Sequence, residues 1–415
     1  MPNKITSSPS DALELPPELR LIFEQDYPRF SDAEYARRHA ALARVMERAG
    51  IDYLLIVTAQ NVGNATRWVT GWPGTNEALT VFRPGETMTM FVEYYNHLPQ
   101  ARMLARGIDV RWGEEKGIVR AGEELFRHGA RRVGVIGPLA GPKWKVLEAS
   151  FALHSLDAQY IALRMEKSEE EIAWLRIGAA LSDAGMAALI AGTRPGMSEH
   201  ELGNMIERAY VGLGGSTVIH FIGSTPMAAP DVCVPRQFTS RRRILPGDFV
   251  FCELSAAWWG YSGQVLRGFT VDEQPTPLYR DLHATAVAAF EAITKAIRPG
   301  VAAAELIEAS AMIEKNGFTT YDDLVHGYGG GYFAPILGSK SRPAGHPPTQ
   351  TLRENMCLVV QPNIITRDEK AGVQVGELVR VTASGCESLH RMRHGLFSAG
   401  EVISYPAGTP PSPAG

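Results

Sequence analysis

The feature that most constrains this chain is that part of it occurs twice. Arg194-Pro195-Gly196, followed by Glu201-Leu202, recurs at the same spacing as Arg298-Pro299-Gly300 followed by Glu305-Leu306. The apolar run from Gly247 to Glu253 has a counterpart from Asn355 to Gln361. A repeated helix-helix-strand unit predicts two related halves about a pseudo-twofold axis. A polar side chain ends the apolar run in each half, Glu253 in one and Gln361 in the other. A carboxylate inside an apolar strand is costly unless it is paired or neutralised. Glu253 therefore needs a reason to be there, and the axis is where a site is expected.

The chain before the repeat reads differently. A helical pattern starts at Ser31, with Tyr35, Leu42, Val45 and Met46 on one face. Strand-like runs follow at 52–57, 79–82, 88–92 and 133–136, separated by helical segments near 96–106 and 119–128. Strands alternating with helices predict a small α/β domain over residues 1–162, with residues 1 to 30 a loosely held arm. No phosphate-cradling glycine motif follows any of these strands, which argues against nucleotide binding. From Lys167 the pattern changes. Ser168 with Glu171, and Ser198 with Glu201, are capping boxes that open two helices. Helices are predicted over 281–297 and 302–316, and strands over 249–254, 261–267, 357–361, 372–375 and 378–382. The proline-rich tail 406–415 is predicted to be disordered. The expected fold class is α/β (α+β), with a second domain over 163–415.

Composition excludes several functions. Apolar residues at 45%, charged residues at 21% and a net charge of -4 describe a soluble globular protein with no basic stripe for nucleic acid. No apolar run approaches membrane-spanning length and no signal peptide is visible at the N-terminus, so no membrane partner is expected. The four cysteines (Cys233, Cys252, Cys357 and Cys386) are scattered without a CxxC pair, as in a reduced, cytoplasmic protein.

Several segments, taken in order, carry a resemblance: Gly247-Asp248 with Glu253, the run Tyr261 to Arg267, His326-Gly327-Tyr328-Gly329, Met356 to Pro362, and Gly372 to Thr382. Residues 160 to 390 resemble the pita-bread domain of creatinase, prolidase, aminopeptidase P and methionine aminopeptidase. The N-terminal part is similar to the smaller creatinase/prolidase domain. The metallopeptidases of that family hold two divalent metals with two Asp, one His and two Glu. By resemblance, the two Asp fall on Glu253 and Gln264, the His on His326, and the two Glu on Gln361 and Gly376. A further family histidine falls on Phe333, and one near the substrate falls on Arg236. One carboxylate, one imidazole and two neutral amides are too few, and too weakly charged, for two divalent ions. Glu377, next to Gly376, points to the other face of a regular strand and would enter the site only through a bulge. No metal and no other cofactor is expected.

The resemblance is closest in character to metal-free members such as creatinase and ectoine hydrolase. It implies a metal-independent hydrolase that cleaves a C–N bond (amide, amidine or guanidino) of a small carboxylate-bearing metabolite. Glu253 is the expected base or nucleophile and His326 the acid or base, with Gln361 and Gln264 orienting substrate or water. Arg236 is expected to clamp a substrate carboxylate, with Arg67 a second candidate and Tyr328 and Tyr332 lining the site. Asp322 and Asp323 read as loop or cap residues. A homodimer is implied by the resemblance alone. Two other functions fit the same sequence: an inactive peptide-binding module, and an Xaa-Pro aminopeptidase-like metallopeptidase. A closed pocket holding Glu253 and His326 together would favour chemistry over binding.

Overall fold

The computed structural model describes residues 13–59, 63–346 and 348–405. It divides into two compact units, one spanning Gln25–Arg164, the other joining the chain up to Glu24 with everything from Met165 onward. The expected boundary at residue 162 differs from this by a short step at the junction, and more substantially at the N-terminus. Pro17–Phe23 is a helix, not a loose arm, and it packs on the long helix Glu169–Gly192 of the C-terminal unit. Its proline in the first turn suits a helix start, where the missing N–H has no intrahelical partner to lose. The predicted disorder of 406–415 falls outside the described residues.

In the N-terminal unit, Ser31 caps the helix Asp32–Ala49 by accepting the Glu34 N–H, and Gly50 ends it in the left-handed region. Six strands follow: β1 (Tyr53–Thr58), β2 (Ala78–Phe82), β3 (Thr89–Val92), β4 (Asp109–Trp112), β5 (Arg132–Ile136) and β6 (Ala152–Ser155). They form a mixed sheet in the order β4-β3-β2-β1-β5-β6. The central strand β1 is buried along its whole length, which explains its unbroken apolar run. The edge strands β4 and β6 escape sequence prediction because they are short and partly exposed.

The C-terminal unit is built on a larger sheet. The unit's strands are β7 (Ser216–Pro226), β8 (Asp248–Trp258), β9 (Tyr261–Thr270), β10 (Thr319–Thr320), β11 (Val325–Gly327), β12 (Phe333–Leu337), β13 (Cys357–Val360), β14 (Ile364–Ile365), β15 (Gly376–Val381), β16 (Cys386–Ser388) and β17 (Phe397–Ser398), of which β10 and β14 pair with each other apart from the larger sheet. The main path runs β12-β11-β13-β15-β9-β8-β7, with β16 on β15 and β17 on β9. The order β7-β8-β9 on one side of the β9–β15 seam is mirrored by β11-β13-β15 on the other, as the sequence repeat requires. The seam itself pairs Gly376 with Leu266 and Glu377 with Val265. The strand predicted over 372–375 is instead irregular backbone with an isolated bridge at Gly372. The longest strand that sequence reading passes over is β7, whose first half is exposed or half-buried and lacks a clean apolar alternation.

The helix Glu169–Gly192 lies on β8 and β9, and both expected capping boxes are formed at Ser168 and Ser198. By length and composition this helix resembles a membrane span, but most of its apolar window is buried in the unit's own core. Its close approach to β9 depends on Gly263, where a Cβ would meet Ala179 Cα at 2.4 Å.

Candidate active site

The two polar residues that end the repeated apolar runs meet through a third. Gln264 Nε2 donates to Glu253 Oε1 at 2.7 Å and to Gln361 Oε1 at 2.9 Å, while Gln361 Nε2 donates to the Asp323 carbonyl at 3.2 Å. The contact follows from strand register. Ser255 on β8 pairs with Gln264 on β9, which leaves Glu253 and Gln264 diagonal neighbours on one face. Gln361 extends from the end of β13 towards the same face.

These residues line a cavity of about 650 Å³ together with His326, Tyr328, Tyr332, Asp322 and Asp323. His326, on β11, is buried. Tyr332 stacks on its ring with centroids 4.2 Å apart, and Tyr328 meets it edge-on at 5.5 Å. The Tyr332 hydroxyl donates to Asp323 Oδ2 at 2.6 Å, and the same carboxylate lies 4.0 Å from His326 Nε2. Asp322 accepts the Asp323 N–H at 2.9 Å. The two aspartates are thus part of the cavity wall, not mere loop or cap residues. The one sequence signal that points to them is their position immediately upstream of the His326 motif.

Burial sets the protonation of this group. Removal from water, reinforced by Asp322 and Asp323, pushes the Glu253 carboxyl up to about 8. Burial likewise lowers the His326 imidazole to about 4. At the cavity mouth, desolvation and then Asp323 raise Asp322 to about 7. At neutral pH the cavity therefore presents a protonated carboxylic acid at Glu253 and a neutral imidazole at His326. In this state Glu253 holds a proton to give and His326 is free to accept one; of the roles expected from sequence, this suits His326 as base and not Glu253 as base or nucleophile.

Other expected site residues are placed elsewhere. Pro235 and Gln237 line the cavity, but the Arg236 guanidinium is directed at the buried Glu199, 3.9 Å away. Glu199 also accepts from Ser224 and Ser240, so this wall is fastened from behind. The expected carboxylate clamp is therefore not formed by Arg236. Arg67 belongs to the N-terminal unit, on the helix Ala65–Thr70. Phe333 lies under the Lys167 ammonium, 4.6 Å from the ring centroid. Glu377 faces away from the cavity, where it pairs with buried Arg267 at 2.5 Å and approaches His394 at 3.1 Å. Burial alone would raise this carboxyl, but His394 and Arg267 outweigh it and hold it below the usual carboxylate range.

The donor set does not fit a pair of divalent metals. Among the described residues, no group of three or more His, Cys, Asp or Glu side chains is arranged to hold a metal ion. Glu253 Oε1 and Gln361 Oε1 both accept from Gln264, and two of the four side chains at the family's ligand positions are neutral amides. At Gly376 a Cβ would meet the Val360 carbonyl oxygen at 2.4 Å and Gln361 Cα at 2.8 Å, so the backbone has closed over the place of a side chain.

Comparison with known proteins supports the same fold. Residues 173–383 match the model of metallopeptidase family M24. An uncharacterized hydrolase/peptidase of Sinorhizobium fredii is 24% identical over 88% of this chain and 96% of its own length. An Xaa-Pro dipeptidase of Pyrococcus furiosus is 26% identical over 57% of this chain and 66% of its own. Among solved structures, an Xaa-Pro dipeptidase from Bacillus anthracis superposes with a TM-score of 0.76 at 20% identity, covering 88% of this chain and 99% of that one. The family match spans half of the chain, the fold agrees over most of it, and the chain is a hydrolase belonging to metallopeptidase family M24, the pita-bread creatinase/prolidase superfamily.

Proposed function

We propose that this protein hydrolyses a C–N bond (amide, amidine or guanidino) without a metal cofactor, using His326 as general base and Glu253 as general acid. The observation that carries this reading is one cavity lined by both His326 and Glu253, where burial lowers the imidazole and raises the carboxyl. In the proposed reaction His326 takes a proton from water as the water oxygen attacks the substrate carbon. The C–N bond then breaks as Glu253 delivers its proton to the departing nitrogen. The proton held on His326 afterwards returns to the Glu253 carboxylate and resets the site. Gln264, which touches both Glu253 and Gln361, keeps the Glu253 carboxyl oriented.

Relatives named as Xaa-Pro dipeptidases support the C–N bond as the class of bond cleaved. A metal-bound hydroxide, which an Xaa-Pro metallopeptidase of this family would use, is disfavoured by the donor set described above. A concave cavity lined by both Glu253 and His326 favours chemistry over a role as a peptide-binding module. The test is metal analysis of the purified protein alongside turnover of an amide, amidine and guanidino panel, with and without chelator. Turnover that survives chelation is expected, and Glu253→Gln and His326→Ala should each reduce it by roughly 10²–10⁴-fold. Two bound metals per chain, with turnover lost on chelation, would overturn the proposal.

A further inference from the structure

We infer that the cavity selects an organic cation, a substrate whose recognised group is an ammonium, amidinium or guanidinium, and rejects carboxylates. This rests on the reading of the cavity as the substrate site, and it replaces the carboxylate-bearing substrate expected from sequence.

The inference comes from the charge of the whole lining. Three carboxylic side chains line the cavity: Glu253, protonated in its buried floor, and Asp322 and Asp323 towards its mouth. Among the described residues, no lysine or arginine lines the cavity. His326 is buried, with Tyr332 stacked on its ring. The cations close in sequence or space are engaged elsewhere. Arg236 is directed at Glu199, and Arg342, stacked on the ring of lining residue Tyr321, is paired with Glu369. Among the described lining residues, Asp322 and Asp323 at the mouth therefore meet no lysine or arginine.

The remaining wall suits the same ligand class. Phe221, Tyr321, Tyr328 and Tyr332 all line the cavity, and aromatic faces attract organic cations through the ring quadrupole. Gln264 and Gln361 add neutral amides. A carboxylate entering at the mouth meets Asp323, with no lysine or arginine among the described lining residues. A planar nitrogen cation meets Asp323 as a charge-assisted acceptor, with Tyr332 already aligned beside it.

Three probes of one shape test the point: benzamidine (cationic), benzamide (neutral) and benzoate (anionic), titrated calorimetrically into the chelator-treated full-length protein at pH 7.5. The expected result is benzamidine binding at least tenfold tighter than benzamide, with no benzoate binding. In the Asp322→Asn/Asp323→Asn double variant benzamidine should lose at least tenfold in affinity while benzamide is unchanged. The His326→Ala variant should still prefer benzamidine over benzoate, since that preference does not depend on turnover. Benzoate binding as tightly as benzamidine, benzamidine affinity insensitive to the double variant, or no benzamidine binding at millimolar concentration would each overturn the inference. The hydrolase reading fails separately: cation selectivity without any C–N turnover would leave this inference standing and remove the other.

Discussion

Glu253 carries the largest consequence of burial at the level of single residues. Its carboxyl is raised to about 8, so the folded protein keeps a proton there that the unfolded chain releases near its ordinary value. Stability from this group is complete below the unfolded pKa and is lost as pH rises towards 8. His326 works in the opposite sense. Its folded pKa of about 4 lies below the unfolded value, so its contribution grows as pH rises from 4 to the ordinary histidine range. The two overlap at mildly acidic pH. Between pH 6.5 and 8 the Glu253 effect is free of the histidine, though the raised Asp322 adds to the same slope. Glu253→Gln is therefore expected to lose less thermal stability than wild type between pH 6.5 and 8, measured by melting temperature in a buffer series.

The same two groups set the pH dependence of turnover. With His326 as base and Glu253 as acid, kcat/KM is expected to be level at neutral pH, falling below about pH 4 and above about pH 8. Those limbs report the coupled cavity and not isolated side chains. Asp322 helps to raise Glu253, so Asp322→Asn should move the alkaline limb to lower pH. An alkaline limb that stays in place in that variant would mean that Glu253 is not the group titrating there.

At the level of elements, the β9–β15 seam decides which side chains face the cavity. Alternation along β15 puts Gly376 on the cavity side and Glu377 on the other, where Arg267 and His394 hold it charged. The missing carboxylate at Gly376 is not an open vacancy to be refilled, because the Val360 carbonyl and Gln361 occupy that space. Gly376→Glu is expected to cost about 1–3 kcal/mol through overpacking and to confer no divalent-metal binding. Urea denaturation and metal analysis of the variant check the two parts independently. β7 matters for the same reason. Its residues Val218, Ile219 and Phe221 line the cavity, although its exposed half carries no pattern by which sequence alone marks it as a strand.

For the whole molecule, the division of the chain is not sequential. The helix Pro17–Phe23 belongs with the C-terminal unit, where Phe23 lies 6.1 Å from the Trp258 ring and Glu14 pairs with Arg391 at 3.2 Å. Deleting residues 1–24 should therefore lower the unfolding transition of the C-terminal unit by roughly 5 °C and leave that of residues 25–164 in place. Differential scanning calorimetry of the truncated and full-length chains distinguishes the two. A shift confined to the N-terminal transition would refute this assignment.

The sequence by itself determined the repeat, the capping boxes, the buried strands and the shortage of metal-ligating carboxylates, because each is written in local pattern or residue identity. Glu253, Gln264, His326 and Gln361 could be singled out for the same reason. Only the tertiary structure decided that Asp322 and Asp323 share their cavity, that Arg236 turns to Glu199, and that burial protonates Glu253 and keeps His326 neutral. Orientation and desolvation depend on neighbours distant along the chain, and no local pattern encodes them.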